Sequence, residues 1–225
     1  SRWLESCGWT GVAIDFYRHV ADLLAKYALG APQARINYML LRAELALELS
    51  RLDDARASLE PVAALSESLR NEHGIVRGQL LLGQMAMQQD DLEEARTCFR
   101  RAAHLASRLN DPALLARSRL ALAGWFQRFG DPQASKENLD RALNLFSRWG
   151  TYRMDLRTRS IMLQRAVEMW ATRGMLAPAR RHSEDLRRLA DVCELKTVEC
   201  RADWAEARVL SEMGEHHRAM ELLAR

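Results

Sequence analysis

The sequence predicts an all-α protein in which helical hairpins stack one after another as an α-solenoid. Short side chains recur at six positions, here called anchor positions, with spacings of 42, 40, 40, 44 and 40 residues. Two observations agree with this repeat: other residue types recur at fixed distances from the anchors, and helix-cap signals fall at matching places. A period of this length predicts stacked helical pairs and excludes an ordinary globular enzyme core. The anchor positions are Ala13, Ala55, Ala95, Ser135, Ala179 and Ala219.

Fixed landmarks surround each anchor position. Five residues earlier stands a glycine or a polar residue, which predicts the end of a first helix and a tight turn. Four residues later stands a large side chain in five of the six repeats, and Ser183 stands there in the repeat of Ala179. The small anchor lets the second helix approach the first, and the large side chains fill the seam. The turn residues are Gly8, Ser50, Asp90, Gly130, Gly174 and Gly214, and the large residues are Tyr17, Leu59, Phe99, Leu139 and Leu223.

Cap signals place the elements along the chain. Gly30-Ala31-Pro32 predicts the end of one helix and the start of the next. Asp91 with Glu94 resembles a capping box. Asp111-Pro112 and Asp131-Pro132 each predict an N-cap followed by proline at the first helical position. We therefore expect a single repeat domain over 1–225, with a partial pair at 1–29 and helical pairs at 34–70, 73–110, 112–149, 151–193 and 196–225.

One step of the repeat is four residues longer than its neighbours. Gly150-Thr151 predicts a helix end followed by a new N-cap. Four residues amount to about one helical turn, so an extended helix over 151–173 is one interpretation. Tyr152, Met154 and Leu156 would then project and could support self-association. A simple loop extension is the equal alternative.

Composition excludes several classes of protein. Hydrophobic residues make up 48% and charged residues 28% of the 225-residue chain, and the net charge is only +3. No apolar run reaches the roughly 18–20 residues of a membrane helix, and the first residues lack the apolar core of a signal peptide. Acidic and basic residues are interspersed, unlike a nucleic-acid module. We expect a cytoplasmic fragment of a longer protein, without direct nucleic-acid or membrane binding.

No residues predict catalytic chemistry. The chain holds no HExxH, phosphate-binding or nucleophile-elbow motif, so we expect no enzyme and no cofactor. The cysteines Cys7, Cys98, Cys193 and Cys200 show no paired spacing, which indicates free thiols and no metal site.

The repeat resembles the tetratricopeptide repeat. Leu82-Gly83, Ala95, Phe99 and Ala102 match the order of small and bulky residues in that motif. A second segment matches with Leu122-Ala123, Gly130, Leu139 and Ala142, although Ser135 replaces an alanine. The unit here is near 40 residues rather than about 34. Long units are similar to the sensor domains of MalT-like, LuxR-type ATP-dependent bacterial transcription regulators.

The resemblance implies a right-handed superhelix whose concave surface is lined by first helices and binds partners. Three arginines, Arg77, Arg117 and Arg201, would form a basic ladder beside a strip of leucines that includes Leu40 and Leu80. Such a surface suits an acidic peptide, a carboxylate or a polar ligand, and a merely solvated face is the alternative. The predicted binding residues are Asn37, Arg77, Gln84, Gln88, Arg117, Arg128, Gln164, Glu168, Arg201, Trp204 and Arg208.

The large aromatic side chains have two interpretations. Trp125, Phe126 and Trp170 lie beside the predicted turns, where packing between repeats is favoured over a ligand cage. For Met85 and Met87, core packing is likewise favoured over a Met-rich binding groove.

Three functions remain open. The first is the effector-binding domain of a bacterial transcription regulator, which by resemblance would bind a protein or a small-molecule effector. The second is a scaffold that binds a partner peptide or helix in the concave groove. The third is the non-catalytic tail of a signalling enzyme. All three are non-enzymatic interaction or sensing modules.

Overall fold

Ten α-helices fill the part of the chain that the computed structural model describes, which is residues 31–149, 156–193 and 196–224, and this part holds no strand. Helices that follow one another across a three-residue turn pack together, as Pro32–Glu48 does with Leu52–Ser68 and Glu72–Gln88 does with Leu92–Arg108. The helices are α1 Pro32–Glu48, α2 Leu52–Ser68, α3 Glu72–Gln88, α4 Leu92–Arg108, α5 Pro112–Phe129, α6 Pro132–Trp149, α7 Leu156–Ala171, α8 Leu176–Cys193, α9 Lys196–Glu212 and α10 His216–Leu223.

The chain divides into two compact units, Ser1–Leu145 and Phe146–Arg225. The described part of unit 1 contains α1 to α5 and most of α6, and unit 2 contains α7 to α10. The expectation of a single repeat domain over the whole chain stays a prediction. The predicted partial pair at 1–29 lies outside the described residues.

Helix length explains the 40-residue period. Each of α1 to α4 has 17 residues, and three residues join each of these helices to the next. A helix and its connection therefore take 20 residues, and a hairpin takes 40. The extra length over a common tetratricopeptide unit lies in the helices and not in the loops.

The turns share one backbone geometry. The predicted turn residues Ser50, Asp90, Gly130, Gly174 and Gly214 all have positive φ, between 57° and 91°. The next backbone N–H then donates back to a carbonyl in the last helical turn, as from Arg51 to Ala46 at 2.8 Å. This is the hydrogen bond of the Schellman motif, which satisfies carbonyls that a helix end leaves unpaired. The predicted tight turns are confirmed.

Turns between hairpins use the same geometry without glycine. Arg70 has φ 49° and Asn110 has φ 51°. The N–H of Asn71 donates to Ser66 O at 2.8 Å, and that of Asp111 donates to Ala106 O at 3.3 Å. These left-handed positions were not predicted, because neither residue is a glycine and neither stands five residues before an anchor position.

Acidic and amide side chains start several helices. Asp111 Oδ1 accepts from the N–H groups of Ala113 and Leu114 at 2.9 and 3.0 Å, and Asp131 Oδ1 accepts from Ala134 at 2.9 Å. Both predicted N-caps are confirmed. Asn71 caps α3 in the same way and was not predicted.

The predicted capping box forms in one direction only. Asp91 Oδ1 accepts from the Glu94 N–H at 3.0 Å. The Asp91 N–H donates instead to Ala86 O at 2.9 Å, so it is not the donor that a reciprocal box needs from Glu94. The tight turn therefore takes the hydrogen bond that the box would use.

Small residues bring the two helices of a hairpin together. A Cβ added to Gly83 would overlap the ring of Phe99 on the facing helix. The anchor Ser135 is fully buried, and its Oγ donates to Ala123 O at 2.8 Å. The serine that departs from the repeat pattern therefore satisfies its hydroxyl across the hairpin.

Trp125 packs between repeats as predicted. It lies in the core of unit 1, its indole N–H donates to Leu92 O at 2.6 Å, and Phe129 stacks on its ring. Trp170 and Met85 are also buried.

Helix α7 spans Leu156–Ala171 in the described part of the chain. The predicted extension of a helix over 151–173 falls partly on residues outside the described ranges, so the helix extension and the loop extension both stay predictions. Tyr152 and Met154 lie outside the described residues.

Candidate interaction surface on the first helices

First helices of successive hairpins are neighbours within each unit. In unit 1, α1 packs against α3 and α3 packs against α5, and in unit 2, α7 packs against α9. Side chains one repeat apart therefore come close together. We call the predicted binding residues of unit 1 the first-helix face: Asn37, Arg77, Gln84, Gln88, Arg117 and Arg128.

Arg77 is held by the equivalent residue of the preceding repeat. Its Nη1 donates to Asn37 Oδ1 at 3.1 Å, across 40 residues of sequence. Asn37 is exposed and Arg77 is half-buried. The pair orients a guanidinium group at the surface of unit 1.

Arg117, on α5, forms an ion pair with a residue of α1, two repeats earlier. Its Nη2 lies 3.5 Å from Glu44 Oε1, and the two side chains are 26% and 16% exposed. Helix α3 packs against both α1 and α5, so this ion pair passes over α3. Glu44 compensates one charge of the predicted basic ladder, and the first-helix face of unit 1 is mixed rather than uniformly positive.

Two side chains tie the C-terminal ends of first helices together. Gln88 Nε2 donates to Leu47 O at 3.0 Å. Arg128 donates to Met87 O at 2.8 Å and to Asp90 Oδ1 at 2.7 Å. The two carbonyl acceptors, Leu47 O and Met87 O, lie in the last turn of the preceding first helix, where carbonyls lack partners within the helix. Gln88 and Arg128 therefore cap the C-terminus of the neighbouring first helix.

The predicted leucine strip is wrong. Leu40 and Leu80 are fully buried in two core clusters of unit 1. Gln84 is exposed, and a Cβ added to Gly124 would meet no atom within 4 Å. Leu40 and Leu80 therefore do not form an apolar strip on the surface, and open space lies beside Gly124.

Unit 2 pairs its predicted residues in a similar way. Arg201 Nη1 donates to Gln164 Oε1 at 3.2 Å, from α9 to α7. Glu168 pairs with Arg165 at 3.1 Å. Arg208 pairs with Glu212 at 2.7 Å. Trp204 is half-buried. Arg77 and Arg117 lie in unit 1 and Arg201 in unit 2, so each unit carries its own part of the predicted ladder.

Unit 2 also contains a groove that the sequence analysis did not predict. It measures about 460 Å³ and lies between α8, α9 and α10, with Val209, Leu210 and Met213 among its lining residues. Arg187 crosses its side and donates to Asp203 at 2.6 Å and to Glu206 at 2.9 Å. Burial lowers the pKa of the Arg187 guanidinium, but these hydrogen bonds outweigh it and the net pKa is raised. No repeat landmark signals this groove, because it depends on how three helices pack.

Across the described ranges, no three His, Cys, Asp or Glu residues form a group that could hold a metal ion. Cys98, Cys193 and Cys200 are free thiols. None of the described helices is both long and apolar enough to span a membrane.

Comparisons with known proteins bear on the fold. The Tetratricopeptide repeat family model matches residues 75–148, which run from α3 to the end of α6. The chain is similar to solved TPR-like repeats of a putative kinesin light chain from Podosopora anserina, with a TM-score of 0.53 and 17% identity over 84% of this chain and 92% of that one. A variant of that protein gives a TM-score of 0.54 at the same identity and coverage. A search of curated proteins gave no match.

These similarities confirm the predicted fold class, an all-α solenoid of tetratricopeptide-like helical hairpins. At 17% identity the solved structures show the fold alone. These structures do not show a similarity to MalT-like regulators, which stays a prediction.

Proposed function

We propose that this chain is a non-enzymatic protein-interaction scaffold that binds an extended partner peptide along the first-helix face of unit 1. The observation that carries this proposal is the row of arginine and amide side chains held between repeats, of which Arg77 on Asn37 is the clearest case. Side chains fixed before binding lose less conformational entropy when a ligand arrives. Tetratricopeptide-like hairpins supply the rigid support for such a row.

The chemistry of the face favours a partner with carboxylate groups. A guanidinium group matches a carboxylate with two parallel N–H donors. Arg77 has an amide oxygen beside it, and Arg117 has the carboxylate of Glu44. A peptide carboxylate would bind the Arg77 guanidinium that Asn37 orients, and it would compete with Glu44 for Arg117.

Selection from a library of linear peptides on the purified protein tests this proposal. The strongest selected peptide serves as the probe in calorimetric titration. We expect Arg77→Gln/Arg117→Gln to weaken its binding at least tenfold, which corresponds to about 1.4 kcal/mol or more. The control is Arg180→Gln/Arg188→Gln on α8, which removes the same charge from exposed positions of unit 2.

Two results would count against the scaffold. One is a library from which no linear peptide is enriched. The other is a selected peptide whose affinity falls equally in the two double variants. Circular dichroism of each variant shows that lost binding does not reflect lost helix.

The predicted role as effector-binding domain of a transcription regulator stays a prediction, and so do the signalling-enzyme tail, small-molecule binding and self-association through 151–173. No contact in the described residues favours any of them over the scaffold. The flanking sequence of the full gene tests the regulator role, since that role requires nucleotide-binding and DNA-binding domains.

A further inference from the structure

The outer side of α4 carries a cluster of basic residues that the first-helix face does not include. Arg100, Arg101, His104 and Arg108 are all exposed. No aspartate or glutamate stands between Ala95 and Asn110. We call these four residues the α4 basic face.

The four side chains share one side of the helix. At about 100° per residue they fall within roughly 100° of arc, and they span about 12 Å along the axis. The buried side of α4, with Cys98, Phe99, Ala102 and Ala106, lies opposite. The cluster therefore faces away from the core of unit 1.

The three arginines of the α4 basic face make no hydrogen bond or ion pair with any residue the structure describes. Arg96, one turn earlier, pairs with Glu93 at 3.6 Å. Two arginines of the first-helix face are bound as well, Arg77 to Asn37 and Arg117 to Glu44. Adjacent cations without a counter-charge repel one another, and an anionic partner relieves that repulsion.

The position within the helix does not account for the cluster. A cation in the last turn interacts favourably with the helix dipole, and Arg108 has that position. Arg100 and Arg101 lie in the middle of α4, beyond the reach of that effect.

We propose that the α4 basic face docks an acidic segment of a partner protein, with Asp or Glu carboxylates bound by the three arginines. A patch about 12 Å long on one helix offers few phosphate contacts, whereas nucleic-acid binding draws on many along an extended stripe. The neighbouring exposed residues Thr97 and Ser107 are polar, so the face lacks the apolar side chains that insert into a lipid surface. This surface lies outside the first-helix face and does not depend on peptide binding there.

The test uses a fluorescein-labelled peptide of alternating glutamate and serine as the probe, with fluorescence anisotropy at physiological salt. Arg100→Gln/Arg101→Gln/Arg108→Gln should weaken binding at least tenfold. The charge-matched control Arg35→Gln/Arg42→Gln/Arg56→Gln removes three exposed arginines from α1 and α2 and should change binding less than twofold. The first-helix variant Arg77→Gln/Arg117→Gln is measured beside them, and a loss larger in the α4 variant than in this one assigns the acidic peptide to the α4 basic face.

Equal losses in the α4 variant and the charge-matched control would overturn the proposal, because the peptide would then respond to net charge alone. A loss confined to the Arg77/Arg117 variant would overturn it in favour of the first-helix face. Single-stranded RNA or phosphatidylserine vesicles that bind more tightly than the peptide, and lose binding with the α4 variant, would also overturn it. Unchanged thermal unfolding of the α4 variant excludes loss of fold as the cause.

Discussion

Gly83 and Gly124 lie in two first helices, and the effect on stability of adding a methyl group should differ between them. Gly83 faces the ring of Phe99, whereas Gly124 faces open space. We expect Gly83→Ala to lower the free energy of unfolding by about 1–3 kcal/mol, because the ring must move. Gly124→Ala should raise it by up to about 1 kcal/mol, because alanine favours the helix. Urea unfolding followed by circular dichroism measures both.

The test is whether Gly83→Ala has a lower free energy of unfolding than Gly124→Ala. If Gly83→Ala were as stable as Gly124→Ala, the close approach of α3 and α4 at Phe99 would be contradicted.

His182 is the residue from which we expect a pH effect. Burial lowers its pKa below the ordinary value of 6.5, and the charge of Asp185 only partly opposes this. The 3.9 Å between His182 Nδ1 and Asp185 Oδ2 is too long for a hydrogen bond. Below the ordinary pKa the unfolded chain therefore binds more protons than the folded one, and stability falls as pH falls.

The variant His182→Gln should lack this loss of stability. Between about pH 7.5 and about pH 5, the wild type should lose stability relative to the variant. His217, whose side chain is 87% exposed, provides the control variant His217→Gln, which should follow the wild type. A difference between wild type and His182→Gln that stays constant with pH would show that His182 titrates normally.

At the scale of elements, one turn geometry closes helices throughout the described chain. Gly130 has φ 91° and Arg70 has φ 49°. Gly130→Ala should cost about 1–2 kcal/mol, because a Cβ is strained in the left-handed region. Arg70→Gly relieves that strain and should raise stability or leave it unchanged, since added freedom of the unfolded chain offsets part of the gain. Thermal unfolding compares them, and a harmless Gly130→Ala would contradict the turn geometry.

How far the sequence predicted these elements depends on the range of the interactions. Glycines and aspartates at turns and caps act on their own backbone, so Gly130 and Asp111 were predictable from local sequence. Arg70 was not, because its conformation is imposed by the helices on either side. The bond from Arg128 to Met87 O spans 41 residues and depends on how α5 packs against α3.

Only part of the candidate site was predictable, because its contacts join residues that are distant in sequence. The repeat phase placed Arg77 on the first-helix face, and its bond to Asn37 follows from stacking of equivalent positions. Phase also assigned Leu40 to the surface, and it is buried. The motif positions come from a shorter unit, and in these 17-residue helices the leucine position faces the core.

At the scale of the molecule, we propose that the first-helix face of unit 1 binds carboxylate groups of a peptide. The ion pair between Arg117 and Glu44 offers a test, because removing either partner should affect stability alike but peptide binding differently. Arg117→Gln and Glu44→Gln remove the same pair, so each should cost a similar amount of stability, about 1 kcal/mol or less. Their effects on binding should differ in sign.

The most direct measurement is therefore calorimetric titration of the library-selected peptide into these two variants and the wild type. We expect at least tenfold weaker binding for Arg117→Gln, because the receiving guanidinium is gone. We expect tighter binding for Glu44→Gln, because the competing carboxylate is removed. Affinities that fall together in both variants would contradict the claim and leave the pair with a structural role only.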